Sequence, residues 1–125
     1  MSTQKIAIVG MGRIGSAFFK QMRARRQQGI ELLCVAEVSD TPGRKQAVAE
    51  GVPLRTLDEI VALGGGVDVL FDLTGLPAVR RELREKMLAV GNRHTVIASE
   101  SIVRVIWSLI TDETLPEIEG RSTGY

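Results

Sequence analysis

The stretch Lys5-Ile-Ala-Ile-Val-Gly-Met-Gly-Arg-Ile-Gly15 constrains this chain more than any other. Lys5–Val9 is a short apolar run of strand formers, and it leads without a break into glycines at positions 10, 12 and 15. In a G-x-G-x-x-G spacing between a strand and a helix, each glycine has its own task. Gly10 permits the tight turn out of the strand, and Gly12 lets the backbone approach a pyrophosphate with no Cβ in the way. Gly15 lets the following helix lie close on the strand, and the free N–H groups at that helix's start face the anion. The arrangement predicts a dinucleotide site built from Gly10, Met11, Gly12, Arg13, Ile14 and Gly15.

The rest of the chain alternates in the same way. Ile14, Phe18 and Met22 recur every four residues, predicting a helix from Arg13 to about Gln28 that Gly29 ends. Glu31–Val38 reads as a second strand, Asp40-Thr-Pro-Gly43 as a turn, and Arg44–Glu50 as a short helix stopped by Gly51. Val52-Pro-Leu54 is at most a brief edge strand, because Pro53 has no N–H to donate. Leu57–Leu63 reads as a short helix with Asp58 and Glu59 at its positive end. Val67–Leu73 is a fourth strand, followed by a helix from Pro77 to about Val90 with Val79, Leu83, Met87 and Val90 on its inner face. Thr95–Ala98 is a fifth strand and Glu100–Thr111 a last helix. Such alternation specifies an α/β fold: a single Rossmann-like domain over 1–111. Its parallel sheet of about five strands has the expected order 3-2-1-4-5, with helices on both faces. Residues 112–125 mix acids with Pro, Gly, Ser and Thr and read as a disordered tail or linker.

Bulk properties narrow the class. The chain has 125 residues, 44% apolar and 25% charged, with a formal net charge of +1, which suits one ordinary core. Near-neutral charge argues against nucleic acid as a partner. No apolar run is long enough to span a bilayer, so no membrane association is expected. The first residues lead straight into a strand and leave no room for a signal peptide. With Cys34 as the only cysteine, a reducing cytoplasm fits.

In a sheet of this kind, ligands lie beyond the carboxyl ends of the strands. Glu37 closes the second strand, where a carboxylate takes the adenosine ribose hydroxyls; the alternative is a solvated acid at a strand end. A carboxylate there repels a 2′-phosphate and favours NAD, while Arg44 and Lys45 close by keep NADP possible. Thr74 and Gly75 follow the fourth strand, suited to the other half of the dinucleotide or to ordinary turn chemistry. Ser99 follows the fifth, either beside the cofactor or as the last helix's N-cap, with Glu100 complementing the dipole.

Groups for chemistry are scarce. Hydride transfer needs a general acid or base near the nicotinamide. His94, the only histidine, precedes the fifth strand at the wrong edge, and Cys34 sits mid-strand as a core thiol. Only Glu100 and Asp72 are titratable and near the reactive end. No catalytic residue and no metal set emerges, and the chain by itself reads as a binder.

Residues VGMGRIG, the acid in VAEVSD and the ending DLTG resemble the N-terminal dinucleotide domains of the dihydrodipicolinate reductase and glucose–fructose oxidoreductase families, which implies NAD(P) binding. In relatives of the latter, a Glu-Lys-Pro segment supplies a catalytic lysine after the fifth strand; here Ser99-Glu100-Ser101 stands there. The runs VAEVSDTPGRKQAVAEGVPLRTLDEI, VDVLFDLTGLPAVRREL and SESIVRVIWSLI are similar to the Rossmann-type N-terminal domain of some bacterial sensor histidine kinases. That likeness implies a regulatory or sensor module. The alternative is the cofactor-binding half of an oxidoreductase whose substrate domain is a separate chain. In the last helix, Ile102, Val103, Ile106, Leu109 and Ile110 make a sheet-facing stripe and leave Val105 and Trp107 surplus. Association through the Ile102–Ile110 helix, as a homodimer or with a partner signalling domain, is therefore expected. Trp107 is the expected anchor.

Overall fold

The computed structural model describes residues 3–116. Four parallel strands, β1 (Gln4–Val9), β2 (Ile30–Ala36), β3 (Val69–Asp72) and β4 (Val96–Ala98), form one sheet in the order β2-β1-β3-β4. The helices are α1 (Arg13–Ala24), α2 (Pro42–Ala49), α3 (Leu57–Ala62), α4 (Pro77–Ala89) and α5 (Glu100–Ile110), with a 3₁₀ turn at Gly64–Gly66. The expected α/β domain is present, with one strand fewer. Val52-Pro-Leu54 makes only a single parallel bridge, Leu54 to Val35. Pro53 contributes its carbonyl, which accepts from the Val35 N–H at 3.0 Å, but has no hydrogen to return. The segment therefore borders β2 without lengthening into a strand.

Two cores flank the sheet, and the two-residue period of β1 assigns its side chains between them. Ile6 and Ile8 face α1, α2 and α5, together with Phe18, Phe19, Val35 and Phe71. Ala7 and Val9 face α3 and α4, with Ile60, Val61, Leu70, Leu83 and Met87. Phe18 of α1 and Phe71 of β3 meet with ring centroids 4.7 Å apart, tying the first helix to the neighbouring strand.

Several boundaries and faces differ from expectation. Helix α1 stops at Ala24 rather than near Gln28, and the Arg25 guanidinium donates to the Ile110 carbonyl at the end of α5 (3.0 Å). Helix α2 begins at Pro42, earlier than expected, because Thr41 caps it by accepting from the Arg44 N–H at 3.0 Å. On α4 the inner face takes Leu83 and Met87 but also Arg80, while Val90 lies past the helix and is exposed.

Helix α5 is rotated from its expected orientation. Trp107 is 5% exposed and belongs to the core, whereas Ile102 and Leu109 are exposed. The large ring wins the interior position, and its Nε1 donates to the Glu113 carbonyl at 2.8 Å. Leu115 is buried over the same core. Residues 112–116 thus fold back on α5 rather than leaving it as a linker; the rest of the expected tail, 117–125, lies outside the described residues. Trp107 cannot serve as the interface anchor, since its surface is spent inside the domain. Replacing it with Ala should lower stability by about 3–5 kcal/mol, the cost of emptying an aromatic core site. Urea denaturation is expected to show that loss, and sedimentation an unchanged association state.

Candidate functional site: a cleft at the carboxyl edge of the sheet

The carboxyl ends of β1, β2 and β3 open into a cleft of about 570 Å³. Gly10 and Gly12 form one wall, Glu37, Val38 and Ser39 another, and Leu73, Thr74, Leu76 and Val79 a third. The outer end is closed by Leu54, Arg55, Thr56, Leu57 and Glu59, with Arg44 beside them. Gly10 and Gly15 stand where the packing leaves no room for a side chain. Gly10 has φ +98°, and a Cβ on it would stand 2.8 Å from the Leu73–Thr74 backbone. A Cβ at Gly15 would overlap the Gly10 carbonyl oxygen, so α1 crosses the strand end at a distance only glycine allows. Around Gly12 nothing stands within 4 Å of that position, which leaves open space in front of the helix start. Helix α1 has no side-chain cap and no acid in its first turn.

Met11 and Ile14 are fully buried among core residues, so their side chains are not open to a ligand; Arg13 is exposed and does not line the cleft. Glu37 reaches back across the cleft. Its Oε1 accepts the Met11 N–H at 2.7 Å and its Oε2 the Ser39 N–H at 3.0 Å. A carboxylate has room for about four hydrogen bonds, so two positions remain for hydroxyl groups. Lys45 points away, pairing with Asp40 at 3.5 Å on the surface, whereas Arg44 lines the cleft.

The loop after β3 is held by a buried acid. Asp72 Oδ1 accepts from the Thr74 N–H (3.2 Å) and Thr74 Oγ1 (2.8 Å), and its Oδ2 accepts from Arg80 Nε (3.2 Å). The Leu76 N–H in turn donates to Thr74 Oγ1 at 3.1 Å. Asp72 is therefore a brace for the Thr74–Leu76 turn, with Gly75 at φ +71° inside it. Ser99 stands at the N-cap of α5, yet its hydroxyl makes no capping bond, and it does not line the cleft. Glu100 is buried with its Oε2 3.4 Å from Arg104. His94 pairs with Asp68 at 2.6 Å, beside the Lys5 N–H at the opposite edge of the sheet. Burial pushes the Cys34 thiol up to about 11, leaving it protonated and inert. Among the described residues no group of three His, Cys, Asp or Glu is placed to hold a metal.

Arg55, Thr56 and Leu57 were not legible as cleft residues in the sequence. They reach the site because the Leu54 bridge and the Arg55 N–H bond to Val35 O (2.8 Å) lay this segment beside β2. Thr41, read in the sequence as part of a turn, caps α2 instead; Thr-Pro before a helix is the local signal that could have found it.

A glycine turn, an uncapped helix start and an acid at the end of the second strand, arranged around one cleft, define a Rossmann-type dinucleotide-binding domain. Residues 10–105 match the family model described as "Homoserine dehydrogenase, NAD binding domain", and the chain belongs to that family. It is 34% identical over 113 residues to a Bacillus subtilis protein named (R,R)-butanediol dehydrogenase, covering 82% of this chain and 29% of that one. A homoserine dehydrogenase from S. aureus superposes with a TM-score of 0.59 at 19% identity, covering 90% of this chain and 30% of that one. One from Thiobacillus denitrificans gives 0.57 at 22% identity, covering 78% and 23%. These two likenesses establish the fold. The chain spans less than a third of the length of each of these proteins. The family match supports an NAD-binding domain of homoserine dehydrogenase type and does not confirm the likeness to sensor-kinase or reductase domains. Among the described residues no helix is long and apolar enough to cross a membrane.

If Asp72 is the brace of the second loop, Asp72→Ala should destabilise the domain by about 3–5 kcal/mol, because the buried Arg80 guanidinium loses its carboxylate. Chemical denaturation checks this, and Ser at position 74, which keeps the hydroxyl, should cost far less.

Proposed function

We propose that this chain is the NAD(P)-binding part of a dehydrogenase, binding the dinucleotide across the Gly10–Gly15 turn and leaving the chemistry to other polypeptide. The observation that carries this is the glycine turn opening onto an unobstructed cleft, with no acid–base group of the described residues facing it except carboxylates already engaged. The pyrophosphate lies at the start of α1, and the adenosine ribose beside Glu37. Adenine lies between Val38 and the apolar wall of Leu57, Leu76 and Val79, and the nicotinamide half runs towards Thr74 and Gly75. The family membership and the dehydrogenase names of its relatives support this reading over a sensor module, for which no observation speaks.

NAD is the proposed cofactor, since the two free hydrogen-bonding positions of Glu37 suit the ribose hydroxyls. Arg44 and Arg55 stand at the same end of the cleft and favour a 2′-phosphate, so NADP is bound as the weaker ligand. Helix α5 exposes Ile102, Val105 and Leu109 in a single stripe, at 50%, 60% and 79%, and among the described residues β4 is the last strand of the sheet. That stripe is the proposed contact with the substrate-bearing polypeptide, and it replaces Trp107 in that role.

Quenching of intrinsic fluorescence on titration with NADH tests the cofactor reading, and micromolar binding is expected. Gly12→Val should abolish binding without unfolding the domain, because its Cβ enters open space that the pyrophosphate needs. Wild-type affinity in that variant would refute the site. Glu37→Ala should weaken NAD by about 1.5–3 kcal/mol per lost ribose bond and raise the NADP/NAD affinity ratio, since the repulsion of the 2′-phosphate goes while Arg44 and Arg55 stay. Competition titrations measure that ratio, and an unchanged value counts against the ribose role.

A further inference from the structure

We infer that Thr41 and Ser16 are positioning residues for the pyrophosphate: their hydroxyls hold the Met11 carbonyl out of the anion site. The inference rests on the cofactor reading above. A phosphate needs N–H groups in front of it and is repelled by carbonyl oxygens. In a trans peptide the C=O and the N–H of the next residue point in opposite directions. The direction of the Met11 carbonyl therefore decides where the Gly12 N–H points.

Two hydroxyls decide that direction here. Thr41 Oγ1 donates to the Met11 carbonyl at 2.7 Å and Ser16 Oγ donates to it at 3.1 Å. On the other side of the same residue, the Met11 N–H is taken by Glu37. Gly12 follows, lining the cleft, exposed and without a neighbour where a Cβ would stand. A glycine at this position lets the phosphate approach, but it also makes rotation of the Met11–Gly12 peptide inexpensive. Fastening the carbonyl from behind removes that freedom while leaving the front of the loop open.

The fastening comes from outside the glycine motif. Ser16 lies in the first turn of α1, and Thr41 is the residue that caps α2, so one hydroxyl serves both helix and loop. Gly43 completes the contact. A Cβ there would overlap Ser16 Oγ and stand 2.6 Å from the Met11 oxygen, so α2 seats against the loop only with glycine at that place. The adenosine side of the cleft is in this way joined to the phosphate side through one peptide group.

The test is titration of the intact chain with NADH by fluorescence and with adenosine by calorimetry. Ser16→Ala and Thr41→Val are each expected to weaken NADH about five-fold, the loss of one hydrogen bond, and the double variant about twenty-fold or more. Thr41→Ser should remain within about two-fold of wild type, because it keeps the donor and the cap. Adenosine, which has no pyrophosphate, should bind all four variants as it binds the wild type. Wild-type NADH affinity in the double variant, a loss of binding in Thr41→Ser as large as in Thr41→Val, or an equal loss of adenosine would each overturn the inference. Should Thr41→Val unfold α2, Ser16→Ala carries the same comparison with the cap intact. A wild-type chain that binds neither NADH nor NADPH would instead overturn the cofactor reading itself.

Discussion

Helix α1 crosses the end of β1 so closely that the Gly10 carbonyl occupies the place of any side chain at position 15. Much of the ligand end follows from this crossing. It sets the start of α1 over the carboxyl edge of the sheet, which aims the helix's unsatisfied N–H groups into the cleft. It also brings Phe18 down onto Phe71, so the first helix is packed on β3 as well as on its own strand. A Cβ at position 15 would lift the helix, and both the packing of the glycine loop and the aromatic contact would open together.

The two loops at the cleft are made rigid by different means. The glycine loop has few side chains of its own, so it is fastened by neighbours: Glu37 on the Met11 N–H, and Thr41 and Ser16 on the Met11 carbonyl. The loop after β3 is fastened from within by Asp72, whose charge is balanced by Arg80 inside the protein. Buried charge is costly unless paired and hydrogen-bonded, and here each carboxylate oxygen has a partner. Asp72 is thus consumed by architecture, although its position at a strand end near the site suggests chemistry.

A cofactor platform and a reaction centre need not come from the same part of a dehydrogenase. The chain spans under a third of its relatives' lengths, and α5 exposes Ile102, Val105 and Leu109. A glycine turn of this kind suits the pyrophosphate common to all dinucleotides and carries no information about a substrate.

The local part of the design was legible in the residues alone. Strand-then-glycine spacing, the three-to-four-residue period of α1, and the acid at the end of β2 depend on neighbours in sequence, where sterics and periodicity act directly. The order of the central strands followed from alternation and crossover handedness. What the chain could not declare were contacts between distant segments. The face that α5 buries was settled by competition: Trp107 gained more from the interior than Ile102 or Leu109, and residues 112–116 supplied the carbonyl its indole needed. Asp72 was diverted from reactive duty by an arginine in the first turn of the next helix. Arg55 entered the cleft through one bridge beside a proline, and Thr41 became a fastening of the glycine loop by lying 30 residues from Met11 in sequence and 2.7 Å from it in space. Backbone geometry and periodicity are short-range and written in the residues; the partner of a buried polar group is chosen only when the whole chain has closed around it.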